Sequence, residues 1–303
     1  MSAPLGFAGR VVIVTGAGRG LGRSHARLLA SRGASIVVND LHGAPDVAAE
    51  IVGRGGIAVA DEHDVSQEDQ AAALVQTAVM SFGGLDAIIN NAAVSIDVPF
   101  AELSPEIFDR TMRVNVYGPF FVTKQAWPYL EKSGSGRVVM TISRAPVTGS
   151  PKLYSYAASK GALLGMTRQL ASEAAEHGIA VNAISPSAFT ELSRQGFASA
   201  FKRSLFAKSL SVDPADDDML LERSAAVVSA VVAWLCHPDC QVNGELIQAE
   251  AGGVSRLSFV LAQGIRDPQL TIETVRDNID KILDLTDSAF PQTFLPGAPP
   301  PVS

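Results

Sequence analysis

The chain has 303 residues, of which 47% are hydrophobic and 18% charged, and its formal net charge at pH 7 is −7. This composition supports a sizeable core and argues against intrinsic disorder. The acidic balance argues against a surface for nucleic acid or anionic membranes. The start of the chain has no basic stretch followed by an apolar one, and its two cysteines cannot build a multi-bridge disulfide framework. We therefore expect a cytoplasmic protein with no nucleic-acid or membrane partner.

Runs rich in valine and isoleucine alternate along the chain with segments of helical periodicity. The predicted strands lie within 10–16, 35–40, 56–65, 86–92, 137–143, 179–185 and 244–250. The apolar run 225–236 is too short to cross a bilayer, and we interpret it as a buried helix. Strands that are apolar on both faces and alternate with helices predict an α/β fold, with a doubly wound parallel sheet covered by helices on both faces.

Residues 187–222 interrupt this alternation, because they carry phenylalanines among polar residues and show no strand pattern. A long segment after the carboxyl end of a strand is where a substrate lid would lie, and a packed surface subdomain is the alternative. Beyond Gly253 a helical pattern returns over about 271–285, followed by a proline-rich tail. We therefore expect one domain over 1–255, with the lid in it, and a helical extension with a tail over 256–303.

A glycine-rich turn, TGAGRGLG, joins the first predicted strand to the first predicted helix. Gly16 permits a tight turn, Gly20 lets the backbone approach a pyrophosphate, and Gly22 allows the helix to pack closely on the strand. The helix that begins near Leu21 presents free N–H groups and the positive end of its dipole to phosphate. A glycine motif alone is weak evidence, but a strand before it and a helix after it predict a nucleotide site.

Asp40 ends the second predicted strand. A carboxylate there accepts hydrogen bonds from the adenosine ribose and repels a 2′-phosphate, which favours NAD over NADP. Arg19 favours the opposite choice, because a basic side chain in the glycine loop could pair with that phosphate. We expect the charge at the strand end to decide, and we predict NAD as the cofactor. A cap or turn role is the alternative for Asp40.

The segment LYSYAASKGAL contains two tyrosines ahead of one lysine. Tyr156 is four residues before Lys160, so on a helix the phenol and the amine lie on one face. Tyr154 is six residues before the lysine and faces elsewhere. A surface pair on a helix is the alternative interpretation of the spacing.

Together with NNAA at 90–93, these motifs and two further residues, Asn115 and Ser143, resemble those of the short-chain dehydrogenases/reductases over about residues 8–253. The resemblance implies a seven-stranded Rossmann-like sheet and a catalytic group made of Asn115, Ser143, Tyr156 and Lys160. In that family the tyrosine exchanges the proton of the substrate hydroxyl, the serine hydrogen-bonds the same oxygen, and the lysine holds the nicotinamide ribose. The family asparagine distorts its helix and binds a water in a proton relay; a satisfied buried amide is the alternative for Asn115.

A phenol with a pKa near ~10 is a poor base at neutral pH. The ammonium of Lys160 and the positive nicotinamide of the implied cofactor both favour the phenolate of Tyr156. We therefore expect the pKa of Tyr156 to fall toward the working range.

The resemblance also implies contacts to the adenosine half of the cofactor. It places Asp64 and Val65 against the adenine, and Asn91 and Ala92 beside the adenosine ribose. Ala93 stands where glycine is usual, which could narrow the space near the cofactor.

After the sixth predicted strand the resemblance implies cofactor contacts from Pro186, Phe189 and Thr190. Ser187 replaces a usual glycine, and Glu191 replaces a usual threonine. Hydrogen bonds from the lid to the cofactor are therefore in doubt, whereas backbone contacts from Phe189 are retained as an expectation.

Small residues at helical spacing, Ala158, Ala162 and Gly165, give the predicted helix a flat face. In the resembled family the corresponding helix packs against its twin, which implies a homodimer or homotetramer. Packing within one chain is the competing explanation.

The stretches VVNDLHG, 234–253 and 271–284 are similar to the (3R)-hydroxyacyl-CoA dehydrogenase modules of multifunctional enzymes of fatty-acid β-oxidation. The C-terminal PVS is not a peroxisomal address, so the resemblance implies a free-standing relative that acts on a 3-hydroxyacyl-CoA or a similar bulky secondary alcohol. Candidates for binding the CoA phosphates are Lys202, Arg203 and Lys208, for which a solvated helix face is the alternative.

Two alternative functions stay open. The same chemistry on a steroid, a terpenoid or another cyclic alcohol or ketone suits the aromatic segment equally well. A non-catalytic module that senses NAD through the same scaffold is the alternative of a different class.

Cys236, His237, Asp239 and Cys240 stand close together at the end of a predicted helix. Their spacing is crowded for zinc, and no second ligand pair appears elsewhere in the sequence. We interpret the group as a helix-terminal turn ended by Pro238, and we predict no metal.

Overall fold

A computed structural model describes residues 4–188, 207–213, 215–250 and 252–289 of the chain. The strands are β1 (Val11–Thr15), β2 (Ser35–Asn39), β3 (Ile57–Asp61), β4 (Ala87–Asn90), β5 (Gly136–Thr141), β6 (Ile179–Ser187), β7 (Leu246–Glu250) and β8 (Gly253–Leu257). They form one sheet in the order β3-β2-β1-β4-β5-β6-β7-β8. The first seven are parallel, and β8 pairs antiparallel with β7.

The helices are α1 (Gly20–Ser31), α2 (Ala44–Gly53), α3 (Glu68–Phe82), α4 (Pro105–Met112), α5 (Gly118–Lys132), α6 (Ala145–Thr148), α7 (Tyr154–Ala174), α8 (Asp217–Cys236), α9 (Ile272–Asp277) and α10 (Ile279–Leu283). A π-helical segment, Arg113–Tyr117, joins α4 to α5. Ser104 caps α4 through its side chain, with proline at the first helical position.

The core consists of two apolar layers, one on each face of the sheet. Residues of α3, α5 and α7, such as Leu74, Val122 and Leu163, are buried on one face. Residues of α1, α2 and α8, such as Leu29 and Ile51, are buried on the other. Strands covered on both faces must be apolar on both faces, which is why they appear in the sequence as continuous valine and isoleucine runs. The predicted doubly wound Rossmann-like sheet is confirmed.

Helix α8 is long and apolar enough to cross a membrane by length and composition alone. In the structure it packs against α1 and the sheet, with Val228, Val232 and Leu235 buried in the core. A buried hydrogen bond of 2.8 Å joins Nδ1 of His25 on α1 to Oγ of Ser229 on α8. The predicted buried helix is therefore a core helix of the domain.

The structure corrects several predicted boundaries toward the C-terminus. An eighth strand, β8, joins the sheet, so the predicted boundary at residue 255 falls within a strand. Both ends of the predicted segment 187–222 belong to regular elements, because β6 runs to Ser187 and α8 begins at Asp217. Most of the predicted lid, 189–206, lies outside the described residues. The helical pattern over 271–285 is divided into α9 and α10 at Asn278, whose backbone leaves the helical region. Asparagine is a poor helix former because its side chain competes for backbone hydrogen bonds.

Candidate active site

A cleft of about 840 Å³ lies at the carboxyl ends of β1 to β4. The strand ends are level, since Thr15 pairs with Asn39 and Asn39 pairs with Asp61. Loops that leave level strand ends face one another, and in open α/β sheets this edge is the usual place for ligands. Nine of the predicted cofactor residues line the cleft: Gly16, Arg19, Gly20, Leu21, Asp40, Asp64, Val65, Asn91 and Ala92.

The glycine loop fits a pyrophosphate. Helix α1 has no side-chain cap at its N-terminus and no acidic residue in its first turn, so its free N–H groups point into an electropositive opening. A Cβ on Gly22 would overlap the carbonyl oxygen of Gly16, which confirms the predicted close packing of helix on strand. The sequence interpretation missed Gly18, where a Cβ would overlap the carbonyl oxygen of His42. Only glycine therefore lets this loop close against the end of β2.

Asp40 lies directly after β2, and its carboxylate holds the glycine loop. Oδ2 accepts from the Gly18 N–H at 3.0 Å, and Oδ1 accepts from the His42 N–H at 3.2 Å. Asp40 therefore both holds a turn and lines the cleft, so the two interpretations of this residue are compatible. Arg19 is exposed at the mouth of the same cleft.

A buried carboxylate, Asp61, supports the loop after β3 beside the cleft and was not predicted. It accepts hydrogen bonds from Nδ2 of Asn39 at 2.9 Å, Oγ1 of Thr77 at 2.7 Å and the ring of His63 at 2.9 Å. These bonds hold the turn from which Asp64 and Val65 extend. Its only signal in the sequence is an aspartate that ends an apolar strand.

Asn91 and Ala92 reach the cleft through the end of β4. Nδ2 of Asn91 donates to the carbonyl of Thr15 at 2.9 Å, and the N–H of Ala92 donates to Oγ1 of Thr15 at 3.0 Å. These bonds tie the β4 loop to the glycine loop. Ala93, where the narrower space was expected, also lines the cleft.

Tyr156 and Lys160 lie on the same side of α7, as their spacing predicts. Nζ of Lys160 is 5.7 Å from the centre of the Tyr156 ring and donates to the carbonyl of Thr141 at 2.6 Å. Lys160 is fully buried, and this burial lowers its pKa from 10.5 to about 7. Tyr154 points elsewhere, as expected, with its ring 4.7 Å from that of Phe100.

The predicted fall in the pKa of Tyr156 is wrong for the chain by itself. Burial raises the pKa of this phenol above 10.0, and the hydrogen bond with Ser143 offsets the rise only in part. The predicted fall rested on the positive charges of Lys160 and the nicotinamide, whereas in the chain alone desolvation is the larger effect. The lysine is itself desolvated, so its proton is less firmly held than an exposed ammonium proton.

Ser143 lies two residues beyond β5, beside the phenol. Its Oγ accepts the N–H of Ala145 at 3.1 Å. Because a lone pair of Oγ is used in this bond, the hydroxyl proton is directed away from the backbone and can be donated to a phenolate or a substrate oxygen. The arrangement thus places a phenol beside a second hydroxyl group that can donate a hydrogen bond.

Asn115 lies in the π-helical segment, and the helix distortion implied by the family resemblance is present. Its buried side chain is satisfied: Nδ2 donates to the Val94 carbonyl at 2.9 Å and to Oγ of Ser159 at 3.0 Å. Its Oδ1 accepts the Val94 N–H at 2.8 Å. The side chain therefore joins the loop after β4 to α7, and its predicted place in the catalytic group stays a prediction.

The predicted cofactor residues after the sixth strand are described only in part. Pro186 lies in β6, where it pairs with Ala249, and the structure does not place it along the cleft lining described above. Phe189, Thr190 and Glu191 lie outside the described residues, as do Lys202 and Arg203. Lys208 is described and exposed.

The group at 236–240 forms the end of α8. Both cysteines are buried free thiols, and the guanidinium of Arg137 donates to the carbonyls of His237, Pro238 and Cys240. Within the part of the chain that the structure describes, no cluster of three His, Cys, Asp or Glu side chains could hold a metal ion. Arg137 therefore satisfies the carbonyls of the turn that follows α8.

Comparisons with known proteins agree with this geometry. A family model described as short chain dehydrogenase matches residues 10–198. Peroxisomal multifunctional enzyme type 2 of Mus musculus is 36% identical over 97% of this chain, which spans 39% of that protein's length. A crystal structure of a short chain dehydrogenase from Mycobacterium avium is 36% identical with a TM-score of 0.75, covering 91% of this chain and 96% of that one.

A 7α-hydroxysteroid dehydrogenase, solved with NADH and 7-oxo glycochenodeoxycholic acid, is 28% identical with a TM-score of 0.71 over 82% of this chain and 95% of that one. The chain therefore belongs to the short-chain dehydrogenase/reductase family, whose members are oxidoreductases that bind nicotinamide cofactors. The glycine loop, the uncapped α1 and the cleft at the strand ends fit such a cofactor.

The buried amine gives a pH dependence of stability with a definite sign. Lys160 titrates at about 7 in the folded chain and near 10.5 when unfolded. Burying its charge therefore destabilises the fold fully below pH 7, and the penalty is relieved as pH rises toward 10.5. We expect the free energy of unfolding of Lys160→Met to exceed that of the wild type by most at pH 6. This difference should shrink by about 1 kcal/mol per pH unit between pH 7 and 9. Urea unfolding at each pH measures this.

Lys208→Met is the matched control, because it makes the same change at an exposed lysine. A constant difference between Lys160→Met and the wild type from pH 6 to 9 would contradict the buried, weakly basic amine.

Proposed function

We propose that the chain is an NAD-dependent dehydrogenase that transfers hydride between a 3-hydroxyacyl-CoA and the nicotinamide, with Tyr156 as the base in oxidation and the acid in reduction. The observation that carries the proposal is the placement of Tyr156, Lys160 and Ser143 around one point at the carboxyl end of β5. When bound, the nicotinamide supplies the hydride acceptor.

In this proposal each side chain has a distinct task. Ser143 donates to the substrate oxygen and fixes its distance from the phenol. Tyr156 exchanges the hydroxyl proton at Oη, and Lys160 stabilises the phenolate and holds the nicotinamide ribose. Asn115 keeps α7 in place through Ser159. Because burial raises the pKa of Tyr156 in the chain alone, the positive nicotinamide is needed to bring the phenolate into the working range.

The substrate class rests on the resemblance to (3R)-hydroxyacyl-CoA dehydrogenase modules and on the match of nearly the whole chain to the mouse multifunctional enzyme. The match to a 7α-hydroxysteroid dehydrogenase supports a second candidate, a steroid or another cyclic alcohol. The two candidates share the hydride and proton chemistry and differ only in what fills the substrate side of the site.

NAD is the proposed cofactor because the Asp40 carboxylate lines the cleft at the end of β2, where a 2′-phosphate would meet a like charge. We also propose a cytoplasmic enzyme, which the two free thiols support.

A homodimer or homotetramer is proposed from the exposed small-residue face of α7. Ala158 and Gly165 are exposed and Ala162 is partly so, and a Cβ on Gly165 would meet open space. An apolar hollow of about 400 Å³ beside it is lined by residues of α5 and α7, including Phe120, Trp127 and Leu170. A second copy would cover this face.

The substrate prediction is tested by NADH appearance with (3R)- and (3S)-hydroxyacyl-CoA esters beside a panel of steroid and terpenoid alcohols. We expect turnover of the 3R thioester alone among the thioesters. If neither thioester is oxidised and a cyclic alcohol is, the thioester assignment is overturned and the second candidate is favoured.

The cofactor prediction concerns Asp40→Asn, which removes the charge and keeps the shape. We expect the ratio of kcat/KM for NAD to that for NADP to fall at least about tenfold, because the repulsion of the 2′-phosphate is lost. Asp97→Asn is the matched control, since this exposed carboxylate lines the same cleft. An unchanged ratio in Asp40→Asn, or an equal change in both variants, would contradict the assignment.

The proton-transfer prediction concerns Tyr156→Phe, which should lower kcat by about a thousandfold or more and leave the Kd for NADH within about threefold. Tyr154→Phe, in the same segment, is the control and should retain full turnover. Substantial activity in Tyr156→Phe would refute the proposed base.

A further inference from the structure

Glu250, the last residue of β7, is the centre of a polar cluster that includes Arg144, the residue next to Ser143. Its carboxylate faces the guanidinium of Arg144 in a two-pronged pair, with Nη1 to Oε2 at 3.1 Å and Nη2 to Oε1 at 3.3 Å. Oε1 also accepts from Oγ of Ser187 at 3.1 Å, and Oε2 from Nε2 of Gln248 at 2.9 Å. Three neighbouring strands thus contribute to one cluster at their carboxyl ends.

The position of Arg144 ties this cluster to the reaction centre. Arg144 directly follows Ser143, and its main-chain carbonyl accepts the N–H groups of Val147 and Thr148 at 2.8 and 3.0 Å. Its backbone is therefore fixed by the first turn of α6, while its side chain reaches across β6 to β7. Ser143 hydrogen-bonds Tyr156, so Arg144 links this cluster through the main chain to a residue that touches the phenol.

The charges are only partly withdrawn from solvent, with 42% of the Arg144 side chain and 34% of the Glu250 side chain exposed. A pair this exposed adds little stability by itself. The pair does fix the orientation of the Arg144 guanidinium, because a planar group bonded at two points can rotate little. Arginine has five N–H donors, and the pair with Glu250 uses two of them. Three donors remain for another acceptor.

We propose that Arg144, held by Glu250, is a substrate-binding residue that donates hydrogen bonds to an oxygen acceptor close to the reacting carbon. The proposal rests on the proposed function, since a 3-hydroxyacyl thioester carries its carbonyl two carbons from the hydroxyl-bearing carbon. A plain apolar alcohol would desolvate the charged pair and offer it nothing in return. The cluster thereby selects alcohols with a nearby carbonyl.

The test compares three probes: a 3-hydroxyacyl N-acetylcysteamine thioester, a β-hydroxyketone and a secondary alkanol of matching length. For Arg144→Gln we expect kcat/KM to fall about 10- to 100-fold for the two carbonyl-bearing probes and less than about threefold for the alkanol. Glu250→Gln should show the same selectivity with a smaller loss, chiefly in KM, and Arg144→Lys should restore part of the activity.

The control is Arg256→Gln, because Arg256 forms a two-pronged pair with Glu245 at 2.7 and 2.8 Å on the same sheet, at the start of β7. It should leave all three probes unaffected. Equal losses of Arg144→Gln on carbonyl-bearing and plain probes, or no loss on any, would overturn the proposal. If the enzyme turns over the hydroxyketone but not the thioester, the proposed thioester substrate is rejected. The effect of Arg144→Gln on the hydroxyketone then tests the role of Arg144.

Discussion

The side-chain amide of Asn115 joins the three parts of the chain on which the site depends. It holds both backbone groups of Val94 after β4, and it donates to Ser159 on α7. Ser159 in turn donates to the carbonyl of Tyr156 at 2.7 Å. A buried amide with all of these partners is costly to disturb, because each broken bond leaves a polar group without a partner in the core. These bonds fix the position of α7 relative to the cleft. The π-helical segment Arg113–Tyr117 places the amide between them.

Desolvation then decides the chemistry available around α7. Lys160 is buried with one carbonyl acceptor from Thr141, and Tyr156 is partly buried beside Ser143. Burial favours the neutral form of both groups, so it works against the phenolate and against the ammonium together. The chain alone therefore favours the protonated form of Tyr156. In the proposed mechanism the charge of the oxidised nicotinamide shifts that balance, which couples base formation to cofactor binding.

Local spacing was sufficient to predict the features that depend on neighbours in sequence. The glycine loop, the Tyr156–Lys160 face and all seven parallel strands follow from periodicity and from residues a few positions apart. Strand β8 was not predicted, because GVSRL has no apolar pattern and is largely exposed. Only its pairing with β7 identifies it as a strand. Charge spacing likewise could not reveal how far burial would raise the pKa of Tyr156.

Contacts between residues that are distant in sequence could not be predicted from the sequence. Arg144 and Glu250 are 106 residues apart in sequence and meet only because β5, β6 and β7 are neighbours in the sheet. Asp61 and its partners are a similar case, since Asn39 reaches it across two paired strands. Polar residues at strand ends are common, and only the register shows which of them share a site.

The most direct test of this account is the titration of Tyr156 itself. The tyrosinate absorbance of the wild type minus that of Tyr156→Phe should be followed from pH 6 to 11, with and without NAD⁺. The account predicts an apparent pKa above 10 in the free protein and a clearly lower one when NAD⁺ is bound. A phenol that already ionises below pH 10 in the free protein, or one that ionises at the same pH with and without NAD⁺, would contradict it.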